Sequence, residues 1–266
     1  MVRALRPAGR PKTARIPFSR IAICLLVWPA LGCPGMRPTP TPMPALTLDD
    51  SPSGCAVVFL PGVLDKPKDF DNHGFAATLD DAGLEVHAVA ADAHLAYYRK
   101  RTVLDRLHRD VVAPLVTEGR RVWLVGISLG GVGSLMYGNE HRDEIAGMVL
   151  LAPFLGDDEV LEEIEAAGGL SGWTPPEVLA EDDVGRKLWS WIREWQGLDP
   201  DRRPQIYLGY GESDDFAEAN GRLGELLPEG RVFRRPGGHD WKAWKALWRD
   251  VIDSGLFDGC GEAASP

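Results

Sequence analysis

The sequence has no run of eighteen apolar residues. Its longest, 21–31, holds 11 and is too short to span a bilayer as a helix. Only four cysteines occur in 266 residues, and six histidines stand without a His-x-Glu-x-His or Cys-rich spacing, so no metal site is expected. A Gly-x-x-x-x-Gly-Lys-Ser/Thr run is also missing, which removes the usual cradle for a nucleotide phosphate. Neither a heptad nor an internal repeat is present. Positive charge is scarce beyond the amino terminus: six of the 29 Lys and Arg lie in the first twenty residues, leaving 23 basic against 39 acidic side chains in 33–266, a net of −16. Such a surface repels phosphate backbones, so nucleic-acid binding is not expected. No metal, nucleotide or flavin cofactor is implied.

What is present begins with Arg3, Arg6, Arg10, Lys12, Arg15 and Arg20, with no acid among them, followed by the apolar run. Basic then apolar is the pattern of a secretory signal peptide, read here as residues 1–32. "ALGC" at 30–33 resembles a bacterial lipoprotein signal, which implies a lipid on Cys33; ordinary cleavage nearby and an uncleaved anchor are the alternatives. The expected place is outside the cytoplasm, in the cell envelope or beyond it. Residues 33–53 are rich in Pro and Thr and read as a tether. A folded domain is expected over 54–260, with 261–266 as a tail.

Within that domain, apolar segments alternate with helical ones. "CAVVFL" (55–60), "LEVHAVAA" (84–91), "VWLV" (122–125), "IAGMVLLAPF" (145–154), "QIYLGYG" (205–211) and "GRVFRRPGG" (230–238) read as strands. "VLDRLHRDVVAPLV" (103–116) and 241–252 have helical periodicity. Strands alternating with helices imply a parallel sheet covered on both faces.

The stretch "GISLGG" places Ser128 directly after a strand and before a helix, with Gly126 and Gly130 flanking it. A serine on such a turn projects its hydroxyl. By chance the bare pattern occurs in roughly one of eight chains of this composition, and a serine that merely caps a helix would look the same. In a parallel sheet, functional groups collect beyond the carboxyl ends of strands. "QIYLGYG" is followed there by Asp214 and Asp215, and "RVFRRPGG" by His239. Serine, acid, histidine is a chain order that suits nucleophilic catalysis.

The stretches "FLPGV", "GISLGG", "GYGESDDF" and "GGHDWKAW" together resemble an α/β-hydrolase of the serine esterase/lipase type. That resemblance implies Ser128 as nucleophile, His239 as base and Asp214 as the acid that orients it, three residues after Gly211; a loop shifted by one residue would substitute Asp215. It also implies oxyanion donors at the Leu129 and Val63 amides, although "LPGV" lacks the histidine common in that loop. The expected substrate is a small carboxylic ester cleaved through an acyl-enzyme. A cofactor-free haloperoxidase using the same triad, or a non-catalytic envelope-tethered binding protein, are the rival readings. The acidic insertion 155–204 resembles the cap of such enzymes, with Trp173, Trp189, Trp191 and Trp195 expected to line an acyl pocket.

Other residues have plainer expectations. His87, His108 and His141 read as structural or surface side chains. His94, Tyr97 and Tyr98 could line a substrate entrance. Asp240 reads as a helix cap, and Trp241, Trp244 and Trp248 as core packing. Cys55 opens the first predicted strand at the amino edge of the sheet, and the final helix returns Cys260 to that edge. An exported chain with this even pair is expected to join them, two separate thiols being the alternative.

Overall fold

A computed structural model describes residues 37–200 and 202–260. By its contacts the chain divides into Met1–Cys33 and Pro34–Pro266, and all described residues belong to the second unit. The signal segment, Cys33 and the tail 261–266 lie outside the described residues.

Seven strands build one sheet: β1 (Ala45–Asp49), β2 (Cys55–Leu60), β3 (His87–Ala91), β4 (Arg121–Ile127), β5 (Ile145–Leu151), β6 (Gln205–Gly211) and β7 (Val232–Arg235). Their spatial order is β1-β3-β2-β4-β5-β6-β7. Only β1 runs antiparallel, against β3; the others pair in parallel. Helices cover both faces, so the central strands carry continuous apolar runs: all of β2 and all of β4 except Arg121 are buried. On one side Phe59 stacks on Phe70 at 4.9 Å and meets Trp248 edge-on at 5.7 Å.

The helices are α1 (Pro67–Asn72), α2 (Phe75–Asp81), α3 (Leu95–Arg99), α4 (Val103–Leu107), α5 (Ala113–Thr117), α6 (Leu129–Glu140), α7 (Asp158–Ala166), α8 (Val184–Gly197), α9 (Ala217–Gly224) and α10 (Trp241–Asp253). The single helix expected over 103–116 is instead α4, a π-helical turn His108–Val112, and α5. Pro114 explains the break. It has no N–H for the preceding turn, and its ring clashes with the carbonyl four residues back, so the ladder widens just before it.

The tether reading needs correction. β1 lies inside 33–53, and Arg37 to Pro44 is fastened to the domain by polar contacts that leave no apolar period to read. Arg37 pairs with Asp92 at 2.9 Å, the Pro38 carbonyl meets His94 Nε2 at 3.1 Å, and the Tyr97 hydroxyl donates to Pro40 O at 2.8 Å. Met43 is buried, and its N–H reaches Asp110 at 2.7 Å. His94 and Tyr97 are therefore spent on holding this segment and do not line an entrance.

The tryptophans of the insertion also differ from expectation. Trp173, Trp189 and Trp195 are buried in the core. The Trp189 indole donates to Leu155 O at 3.0 Å and that of Trp195 to Pro204 O at 2.9 Å. Trp191 and Trp195 border a hollow with Leu135, Gly138 and Ile192 toward the carboxyl end of α6, away from Ser128 at its amino end. The apolar stripe of α8 faces α6, so α8 is the crossover helix between β5 and β6.

Cys55 and Cys260 form a disulfide with Cα atoms 5.2 Å apart. Ser53 secures both ends of it, donating to Cys260 O at 2.6 Å and accepting from Cys55 N–H at 3.1 Å.

Candidate active site

At the carboxyl end of β4 the chain turns sharply into α6. Ser128 takes φ 52° and ψ −111°, a conformation that L-residues rarely adopt and that the surrounding packing must hold. The flanking glycines permit it. A Cβ on Gly126 would lie 2.2 Å from Gly130 O, and one on Gly130 would lie 2.0 Å from Leu60 O. The Ser128 N–H is fixed to Leu151 O at 2.9 Å.

The loops after β6 and β7 bring two further groups to this turn. His239 Nε2 lies 3.0 Å from Ser128 Oγ, and His239 Nδ1 lies 2.9 Å from Asp214 Oδ2. The Asp214 side chain is fully buried, whereas that of His239 is 27% exposed. Its second oxygen is also used, accepting the Phe216 N–H at 2.9 Å. Asp215 points outward and is exposed. Gly211 lets the two loops meet, since a Cβ there would lie 2.4 Å from Gly237 O. Phe216 and Trp244 hold the imidazole edge-on from two sides, with centroids 4.9 and 5.0 Å away. Asp240 caps α10 through the Ala243 N–H at 2.9 Å, which fixes the loop carrying His239.

Electrostatics set the tautomer. An ionised Asp214 can only accept, so Nδ1 carries the ring proton and Nε2 presents its lone pair to the serine hydroxyl. This arrangement can remove the proton of Ser128 as the oxygen attacks a carbonyl.

Sequence reasoning missed Asp65. It lies in the turn after β2, where its N–H meets Gly62 O at 3.2 Å and its Oδ1 accepts the Trp241 indole N–H at 3.1 Å. A Cβ on Gly62 would lie 2.5 Å from Asp65 Oδ2 and 3.7 Å from the Ser128 Cβ. The carboxylate thus ties the Gly62–Val63 turn to the helix following His239, in the loop that lacks a histidine. Burial, reinforced by Asp69, pushes the Asp65 carboxyl up, against the Trp241 and Gly62 donors. The only signal in the sequence was an acid three residues beyond Gly62. Val63 stands in this turn, 41% exposed, and Leu64 beside it is 73% exposed. Leu129 opens α6, and its carbonyl accepts the Tyr98 hydroxyl at 3.3 Å.

The family model described as serine aminopeptidase, S33 (Hydrolase_4) matches residues 52–196. No curated protein sequence matches the chain. Among solved structures, Est1E from Butyrivibrio proteoclasticus superposes with a TM-score of 0.54 at 16% identity, over 77% of this chain and 87% of its own. TT1662 from Thermus thermophilus gives 0.54 at 15% identity, over 82% and 94%. A ferulic acid esterase gives 0.50 at 17% identity, over 76% and 85%. At these identities the likeness is one of fold.

Proposed function

This chain belongs to the Hydrolase_4 (serine aminopeptidase, S33) family and is a serine hydrolase of the α/β-hydrolase fold, and from that premise we propose that it cleaves small carboxylic esters through an acyl-enzyme on Ser128. The observation that carries the proposal is the unbroken series from Ser128 Oγ through His239 to the buried Asp214, held on a strained turn. His239 takes the serine proton during attack and later returns it to the leaving alcohol. Asp214 stabilises the imidazolium formed in between. The developing oxyanion is met by the Leu129 and Val63 amides, each donor lowering the barrier by roughly 3 kcal/mol. A water molecule then attacks the acyl-enzyme with His239 as base.

The proposal extends to location. The basic and apolar amino terminus and the Cys55–Cys260 bridge both suit an oxidising compartment outside the cytoplasm, with a lipid on Cys33 as the anchor. Replacing Cys33 by Ser should then release the protein from membranes with hydrolysis intact.

Turnover of a p-nitrophenyl ester series, set beside aminoacyl p-nitroanilides, tests the substrate class. Ester cleavage that Ser128→Ala abolishes is the expected result. Anilide cleavage without ester cleavage would overturn the ester reading and leave the serine mechanism standing.

A further inference from the structure

α6 follows directly on Ser128, and its opposite end carries a second cluster. His108 opens the π-helical turn, His141 follows α6, and Glu144 closes the short 3-10 turn Arg142–Glu144 leading into β5. His108 Nδ1 lies 3.0 Å from Glu144 Oε2, and His141 Nδ1 lies 3.4 Å from Glu144 Oε1. One ligand atom from each of the three residues falls within 4.8 Å of the others. Bonds of about 2.0–2.1 Å to tetrahedral zinc put neighbouring ligand atoms about 3.3 Å apart, and each imidazole Nδ1 lies near that distance from one oxygen of the Glu144 carboxylate. We propose that His108, His141 and Glu144 form a binding site for a transition-metal ion of the zinc class, remote from the serine.

Three features support the assignment. The cluster joins three separate elements, and π-helical turns of this kind are frequent at functional sites. The two imidazoles stack at 4.4 Å with planes 9° apart, and their Nδ1 atoms face the two oxygens of one carboxylate. A cation between them would satisfy both nitrogens at once, after rotation about χ2 lets their Nδ1 lone pairs converge. Finally, Tyr137 supplies the outer support such sites use, its hydroxyl donating to Glu144 Oε2 at 2.6 Å.

The donor set selects the metal. Two imidazoles and one carboxylate suit zinc and its neighbours, whereas calcium takes six to eight oxygens. Side-chain exposures of 30% for His108, 20% for His141 and 29% for Glu144 leave a path for the ion and a water as fourth ligand. Twelve residues of α6 make about 18 Å of helix, which separates the site from Ser128. Its effect is a staple between the π-helical turn, the end of α6 and the start of β5.

Calorimetric titration of zinc chloride into the chelator-treated full chain tests this. One saturable site per chain is expected, with a rise in Tm on loading and visible absorption of tetrahedral type when cobalt replaces zinc. His108→Ala and Glu144→Gln should each weaken binding by at least about 100-fold, since even outer-shell changes cost 10–100-fold. Ester turnover in these variants should match the parent. His141→Asn, at a helix end, serves where His108→Ala fails to fold. Absence of saturable binding would overturn the proposal, as would unchanged affinity in the His108 and His141 variants, which would mean an ion held elsewhere.

Discussion

Replacing Asp214 by Asn should nearly abolish turnover while leaving the fold in place. The two carboxylate oxygens have different partners: Oδ1 accepts the Phe216 N–H at 2.9 Å and Oδ2 faces His239 Nδ1 at 2.9 Å. An amide at this position is not free to choose its orientation. Its oxygen must stay on the Phe216 N–H, because an NH2 there would set two donors against each other. The NH2 then faces Nδ1 and donates to it. His239 is thereby forced into the tautomer with its proton on Nε2, where it points at Ser128 Oγ and cannot take the serine proton. Enzymes of this mechanism lose about 10,000-fold in kcat to the wrong tautomer, equivalent to about 5.4 kcal/mol of barrier at 1.36 kcal/mol per decade. Asp215 supplies the contrast: it is exposed, and Asp215→Asn should change kcat less than about threefold, as surface substitutions do. Steady-state kinetics on one p-nitrophenyl ester, with circular dichroism to check the fold, decides the matter. A folded Asp214→Asn enzyme with more than a tenth of parent activity, or a collapse in Asp215→Asn, would refute the tautomer reasoning.

Three further outcomes follow from the same structure. Changing Cys55 and Cys260 together to Ala opens a loop of 205 residues; chain entropy puts the loss at up to about 5 kcal/mol, or about 10–20 °C in Tm, and an unchanged melting curve would contradict it. Gly62→Ala would bring its methyl within 2.5 Å of Asp65 Oδ2 and shift the turn holding Val63; loss of one oxyanion donor should lower kcat about 100-fold with KM nearly constant, and a pure KM effect would count against that role. His94 accepts the Ala96 N–H on Nδ1 and donates from Nε2 to Pro38, so it is neutral, and burial followed by Arg37 lowers its pKa below 6.5. As pH falls below that value the unfolded chain takes up a proton that the native chain refuses, so Tm should drop between about pH 7 and 5.5; His94→Gln should reduce that slope, and an unaltered slope would contradict it.

The strands around the serine were legible because each follows a simple rule. β2, β4 and β6 are short apolar runs, and the carboxyl ends of β4, β6 and β7 bring Ser128, Asp214 and His239 together. β1 was not legible. Its five residues follow a Pro-rich stretch whose attachment is carried by Arg37, two proline carbonyls and the buried Met43, none of which produces a period. The π-helical turn was hidden for the opposite reason: Val103, Leu107, Val111 and Leu115 keep a helical rhythm across it while Pro114 widens the ladder underneath. The tryptophans of 173–195 show the limit of composition, since burial against α6 and facing a substrate require the same side chains. Asp65 acts through Trp241, a residue 176 positions away, and His108 meets His141 and Glu144 only because α6 returns the chain to the same edge. Such pairings belong to topology and leave no local pattern.

The central claim is that Ser128 is an activated nucleophile. Incubating the protein with a fluorophosphonate and locating the adduct by peptide mass spectrometry tests this most directly. One phosphonylated residue per chain is expected, at Ser128, with labelling abolished in Ser128→Ala and strongly slowed in His239→Ala. A folded protein that remains unlabelled, or an adduct on any other residue, would contradict it.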